Sequence, residues 1–160
     1  MAPSSADLIL VAYDGSENAQ RAIRYAGHFL SAGRALVVTA WEPLARQAAR
    51  ISGLSGVMQP GWVPDIQQED AALTDAKAIN AEGVRLAEEA GLQADGRCVE
   101  TETTVWAAIV DAADELDAAI IVTGTRGATG IRALLHSSVA DQVLKHCHRP
   151  VLIVPPNEER

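Results

Sequence analysis

Gly124-Thr125-Arg126-Gly127, nine further residues and then Ser137-Ser138 form the pattern in this chain best suited to chemistry. Glycine tolerates positive φ and lets a ligand approach the main chain where a Cβ would block it. Ser138 opens a segment with Val139, Val143 and Cys147 at four-residue spacing, which predicts a short helix. Asp141, three positions after Ser138, completes a capping-box pattern and sets the expected helix N-terminus there. A glycine loop feeding the free N–H groups and positive dipole end of a helix is a phosphate-binding arrangement. Arg126 either adds positive charge at those phosphates or is a solvated surface side chain. Asp14, in Tyr13-Asp14-Gly15-Ser16, either closes a turn or accepts charge-assisted hydrogen bonds from a pair of sugar hydroxyls. His146-Cys147-His148 suggests a metal, but adjacent residues at a helix end diverge and no second ligand cluster accompanies them. His136 is expected to be a loop histidine, and Trp41, Trp62 and Trp106 to be packing residues.

These groups need elements to hold them. Leu8 to Tyr13 is an apolar run ending at a turn and the helix cap Ser16, which makes it the first strand. Ala19, Ala22, Ile23, Ala26 and Leu30 then recur at helical spacing, and Gly33 closes the element. Ala35–Trp41 is the second strand. The Gly- and Pro-bearing stretch 42–64 is too long for an ordinary connection and predicts a lid or a disordered loop. A helix is expected from about Asp65 to Ala90, then a polar third strand at Gln93–Thr101 that belongs at a sheet edge. Thr103 or Thr104 caps the next helix, Ala118–Thr123 is the fourth strand, and Pro150–Val154 is the fifth. Strands alternating with helices predict an α/β domain with an open, doubly wound, five-stranded parallel sheet and helices on both faces. Such sheets bind ligands beyond the carboxyl ends of their strands, where strand order reverses. If the first and fourth strands flank that reversal, Asp14 and the Gly124 loop face one crevice.

The chain has 160 residues, which suits one domain over 1–160 with an ordered core at about 7–155. Hydrophobic residues make up 48% of it and aromatics only 4%, so the core must be aliphatic. The net charge of −8, with no Lys/Arg cluster, argues against nucleic acid and anionic membranes as partners. Backbone amides can still hold the phosphates of a nucleotide. No apolar run approaches the ~20 residues of a membrane span, and no basic-then-apolar leader opens the chain. A soluble cytoplasmic protein is expected, with Cys98 and Cys147 as reduced thiols.

With these residues in place, the chain resembles the universal stress protein family over nearly its full length. The resemblance rests on Val11-Ala12-Tyr13-Asp14-Gly15-Ser16, on the Gly-x-x-Gly-x9-Gly-(Ser/Thr) nucleotide signature, and on Arg149-Pro150-Val151-Leu152-Ile153-Val154-Pro155. It implies an adenine nucleotide alpha hydrolase-like fold, usually a homodimer, which in one branch holds ATP or AMP without a well-defined catalytic activity. It also implies site residues. Gly124, Gly127 and Ser138 match the signature, and Asp14 matches the acid that contacts the ribose. Ala12, Ala40 and Thr123 fall where the adenine pocket is walled, and Val139 and Ala140 follow the serine on the phosphate side. Ser137 departs from the pattern by replacing the third glycine. It keeps its N–H but adds a Cβ and narrows φ, so weakened rather than lost binding is expected.

The leading expectation is an ATP-binding stress-response or signalling dimer, paired through Pro150–Val154 and reporting to an unknown protein partner. Mg²⁺ would ride on the phosphates. Gly-Lys-Ser/Thr is absent and no base for water stands out, so the expectation is a binding protein, not an enzyme. The alternative is a nucleotide-free interaction module of the same fold. A phospho-receiver reading of Asp14 fails for want of an acidic neighbour before it and a lysine beyond the last strand.

Overall fold

The computed structural model describes residues 8–30, 33–55, 70–125 and 139–157. Five strands form one parallel sheet: β1 (Leu8–Ala12), β2 (Arg34–Trp41), β3 (Gln93–Glu100), β4 (Ile120–Gly124) and β5 (Val151–Val154). The helices are α1 (Glu17–Phe29), α2 (Leu44–Ser55), α3 (Ala71–Glu89), α4 (Val105–Glu115) and α5 (Val139–His146). Strand order is β3-β2-β1-β4-β5, so the reversal lies between β1 and β4, which meets the condition for Asp14 and the end of β4 to face one crevice. The polar β3 and the apolar β5 are the two edges.

The apolar runs of β1 and β4 are continuous because both faces of these central strands are covered. Ile9, Val11 and Tyr13 face one core layer, with Ile23 of α1, Val37 and Ala87 of α3. Leu10 points the other way, into a layer with Val38, Ile109 of α4, Ile121 and Val143 of α5. Arg149 ties the start of β5 to the α4–β4 junction, donating to the carbonyl of Ala118 and pairing with Asp114 at 2.8 Å.

Stretch 42–64 departs from expectation. Its first part is not a loop: Leu44–Ser55 is helical, and 56–64 lie outside the described residues. Helix α2 has no capping side chain at its own start. Asp70, 26 residues away, supplies one, with Oδ2 accepting from the Leu44 N–H at 2.9 Å. Its other oxygen accepts from the Ala72 N–H at 2.9 Å, so one carboxylate caps both α2 and α3. Arg46 of α2 donates to the carbonyl of Thr101 and to Glu100, fixing α2 against the end of β3. Helix α3 begins at Ala71, and the expected residues 65–69 lie outside the description.

Candidate functional site

A cleft opens at the carboxyl ends of β1 and β4. Ala12, Asp14, Ala40, Thr123, Gly124 and Val139 all line it. Six of the residues singled out in the sequence, drawn from β1, β2, β4 and α5, thus meet at one place. Arg126, Gly127, Ser137 and Ser138 lie outside the described residues. Ala140 follows Val139 in the first turn of α5. Its side chain is wholly buried in the core, so its contribution reduces to a main-chain N–H of the first helical turn.

The Asp14 turn is built from local chemistry. Gly15 adopts φ +81°, which turns the chain sharply off β1. Asp14 Oδ1 accepts from the Ser16 N–H at 2.9 Å, and Ser16 Oγ accepts from the Ala19 N–H at 3.2 Å to cap α1. The Tyr13 N–H donates to the Val38 carbonyl at 2.9 Å, extending the β1–β2 ladder to the edge of the site. Asp14 itself is exposed at the cleft.

Gly124 has a packing reason to be glycine in addition to the ligand approach expected from the sequence. Its φ is not positive, and its bare Cα faces α1. A Cβ there would lie 2.6 Å from the Asn18 carbonyl oxygen and 2.8 Å from its carbon. The close approach that needs glycine is therefore the backbone of α1 against β4. Gly124→Ala is expected to cost about 1–3 kcal/mol of stability through forced separation of the two elements. Denaturant unfolding checks this; an unchanged midpoint would mean the neighbours yield freely.

The cleft walls pair apolar surface with few polar groups. Val38, Val105 and Ile109 line it, residues that the sequence did not single out. Tyr13 lines it too, 2% exposed, with its hydroxyl donating to Glu82 of α3. Burial first, then this bond to a carboxylate, pushes the phenol up to about 12 from its ordinary 10.0. The neutral phenol is the favoured form, so its contribution is intact below pH 10 and is lost as pH climbs through about 12. Tyr13→Phe should flatten the fall in stability across that window; an equally steep fall would place the titrating group elsewhere.

The His146 ring stacks on Trp106, centroids 4.4 Å apart and planes 16° apart, which gives both side chains a packing role. Among the described residues no group of three or more His, Cys, Asp or Glu gathers to hold a metal ion. Both cysteines are free thiols, and among the described residues no helix is long and apolar enough to cross a membrane.

Residues 6–155 match the family model described as the universal stress protein family. The chain belongs to the universal stress protein family. Stress response protein NhaX of Bacillus subtilis is 30% identical over 165 residues, covering 93% of this chain and 98% of that protein. A universal stress protein of Thermus aquaticus is 32% identical over 154 residues, covering 91% and 96%. Among solved structures, a universal stress protein in complex with cAMP superposes with TM-score 0.70 at 25% identity, covering 92% of this chain and 96% of that one. A family member from Burkholderia pseudomallei superposes with TM-score 0.66 at 27% identity, covering 96% and 99%. The five-stranded parallel sheet with its flanking helices is thus the adenine nucleotide alpha hydrolase-like fold of universal stress proteins.

Proposed function

We propose that this universal stress protein binds ATP in the cleft between β1 and β4 and acts as a homodimer through nucleotide-dependent conformation rather than turnover. The observation that carries the reading is the meeting of Asp14 with the end of β4 across one apolar-walled cleft at the strand-order reversal. Ala12, Val38, Ala40 and Ile109 offer surface to a purine ring, and Asp14 offers acceptors to ribose hydroxyls. The Gly-x-x-Gly of 124–127 and the N-terminus of α5 supply amides for phosphates. The family member solved with cAMP supports an adenine nucleotide as the ligand class. AMP fits the same wall and acid, while the glycine loop favours the longer phosphate chain. Mg²⁺ would be held chiefly by phosphate oxygens. With no lysine in the Gly-Lys-Ser/Thr position and no base assigned to water, ATP is a ligand and not a substrate for rapid hydrolysis. The same reading places the protein in the cytoplasm, where free thiols persist.

Acid extraction of freshly purified protein followed by chromatography of the released bases tests the ligand. Adenine nucleotide in the extract is the expected result. An empty extract together with no uptake of added ATP would favour a nucleotide-free interaction module, the role that Ser137 in place of the signature glycine would then mark.

A further inference from the structure

The reading of Asp14 as the ribose acid leaves unexplained a group that touches the cleft from behind. Tyr13 sits immediately before Asp14, buried, with its hydroxyl donating to Glu82 Oε1 across 69 residues of sequence. Gln20 Nε2 of α1 approaches the same oxygen at 3.4 Å. One exposed carboxylate of α3 therefore gathers the end of β1 and the second turn of α1, the two elements joined by the Asp14-Gly15-Ser16 turn. The face of the Tyr13 ring is fixed as well. A Cβ on Gly83, the next residue of α3, would lie 2.6 Å from Tyr13 Cδ1, so the bare helix backbone seats the ring. Gly15 completes the contact: a Cβ there would meet Ile79 of α3 at 3.4 Å. Glu82, Gly83 and Ile79 lie within one turn of α3.

We propose that Glu82 and Tyr13 are positioning residues for Asp14: the bond between them holds the β1–α1 turn in the geometry that presents the Asp14 carboxylate to ribose hydroxyls. The inference rests on the ATP-binding reading above. It follows from where restraint is applied. Tyr13 adjoins Asp14 in the chain, its ring is seated on Gly83, and its tip is anchored to Glu82 by a charge-assisted bond, stronger than a neutral one. Restraint from α3 thus reaches Asp14 through Tyr13, alongside the bond within the turn from the Ser16 N–H to Asp14 Oδ1. Loss of that bond frees the turn without emptying the core, because the ring stays seated on Gly83.

The test compares wild type with Tyr13→Phe, Glu82→Ala and Glu82→Gln, the last keeping an acceptor oxygen for the phenol. Two quantities are read: amide hydrogen exchange at Ser16, and the ratio of affinities for ATP and 2′,3′-dideoxy-ATP. Tyr13→Phe and Glu82→Ala are expected to speed Ser16 exchange and to shrink the affinity ratio, each roughly fivefold, while Glu82→Gln retains most of both. An unchanged ratio and unchanged exchange would overturn the proposal. So would equal losses for the two nucleotides, which would make the pair a support of the fold only. If wild-type protein binds neither nucleotide, the ATP-binding reading fails. Exchange at Ser16 then decides whether Glu82 and Tyr13 hold the turn, and unaltered exchange in the variants refutes that by itself.

Discussion

Asp14→Ala is expected to raise the Kd for ATP about tenfold to a hundredfold while leaving the domain folded. Hydrogen bonds to a charged group are worth roughly 1.5–3 kcal/mol, and each 1.4 kcal/mol is a factor of ten in affinity. The fold survives because the supports of the turn lie outside the carboxylate. Tyr13 still donates to Val38 at 2.9 Å, Gly15 still turns at φ +81°, and Ser16 Oγ still caps α1. The bond to the Ser16 N–H is lost with the side chain. Asp14→Asn keeps an oxygen for that amide and removes the charge, so its affinity should fall between the two. Titration calorimetry on both variants, with thermal melts as a check on folding, reads the effect. Wild-type affinity in a folded Asp14→Ala protein would reduce Asp14 to a turn residue.

Ile153→Pro is expected to convert a homodimer to monomer. Strand β5 pairs with β4 on one side and is the last strand in the sheet order, with Pro155 and Pro156 following it. The carbonyls of Pro150 and Val154 accept from the Ile121 and Thr125 N–H groups of the β4 segment. In a parallel ladder a residue directs both its N–H and its C=O to the same neighbour, so Val151 and Ile153 direct theirs to the open edge. A row of such groups is a pairing template for a second copy about a twofold axis. Proline at position 153 removes an outward N–H and leaves the inner ladder intact, which edge strands tolerate. Side-chain charge is a poorer probe, since Val154 is 3% exposed and Leu152 packs against the same core layer. Lysine at those positions would unfold the domain before it tested pairing. Light scattering at micromolar concentration decides the matter. A wild type that is already monomeric, or a folded variant that stays dimeric, would contradict pairing through β5.

The elements that position the site were legible because they are locally coded. Apolar runs marked the central strands, helical spacing and Ser16 marked α1, and the polar composition of β3 marked an edge. Asp14, Ala12, Ala40, Thr123 and Gly124 converge because each sits at or near the carboxyl end of a parallel strand, and the alternation of strands and helices marked the sheet as parallel while the strand order came only with the fold. What escaped the sequence depends on contacts between distant segments. Helix α2 carries no cap of its own and borrows Asp70, so nothing within 42–55 announced its start. The packing reason for Gly124 was hidden because the α1 backbone against its Cα is about a hundred residues away in sequence. The burial of the Ala140 methyl in the core was likewise not marked in the sequence. Nothing in the sequence set Glu82 apart from the other charges of its helix; the fold brings it to Tyr13.

The most direct test of the account is calorimetric titration of ATP into nucleotide-free wild-type protein. The account predicts saturable binding of one ATP per chain, competed by AMP at the same site. No heat of binding up to about 1 mM ATP, a concentration at which even a weak specific site near −4 kcal/mol would be half filled, would contradict it.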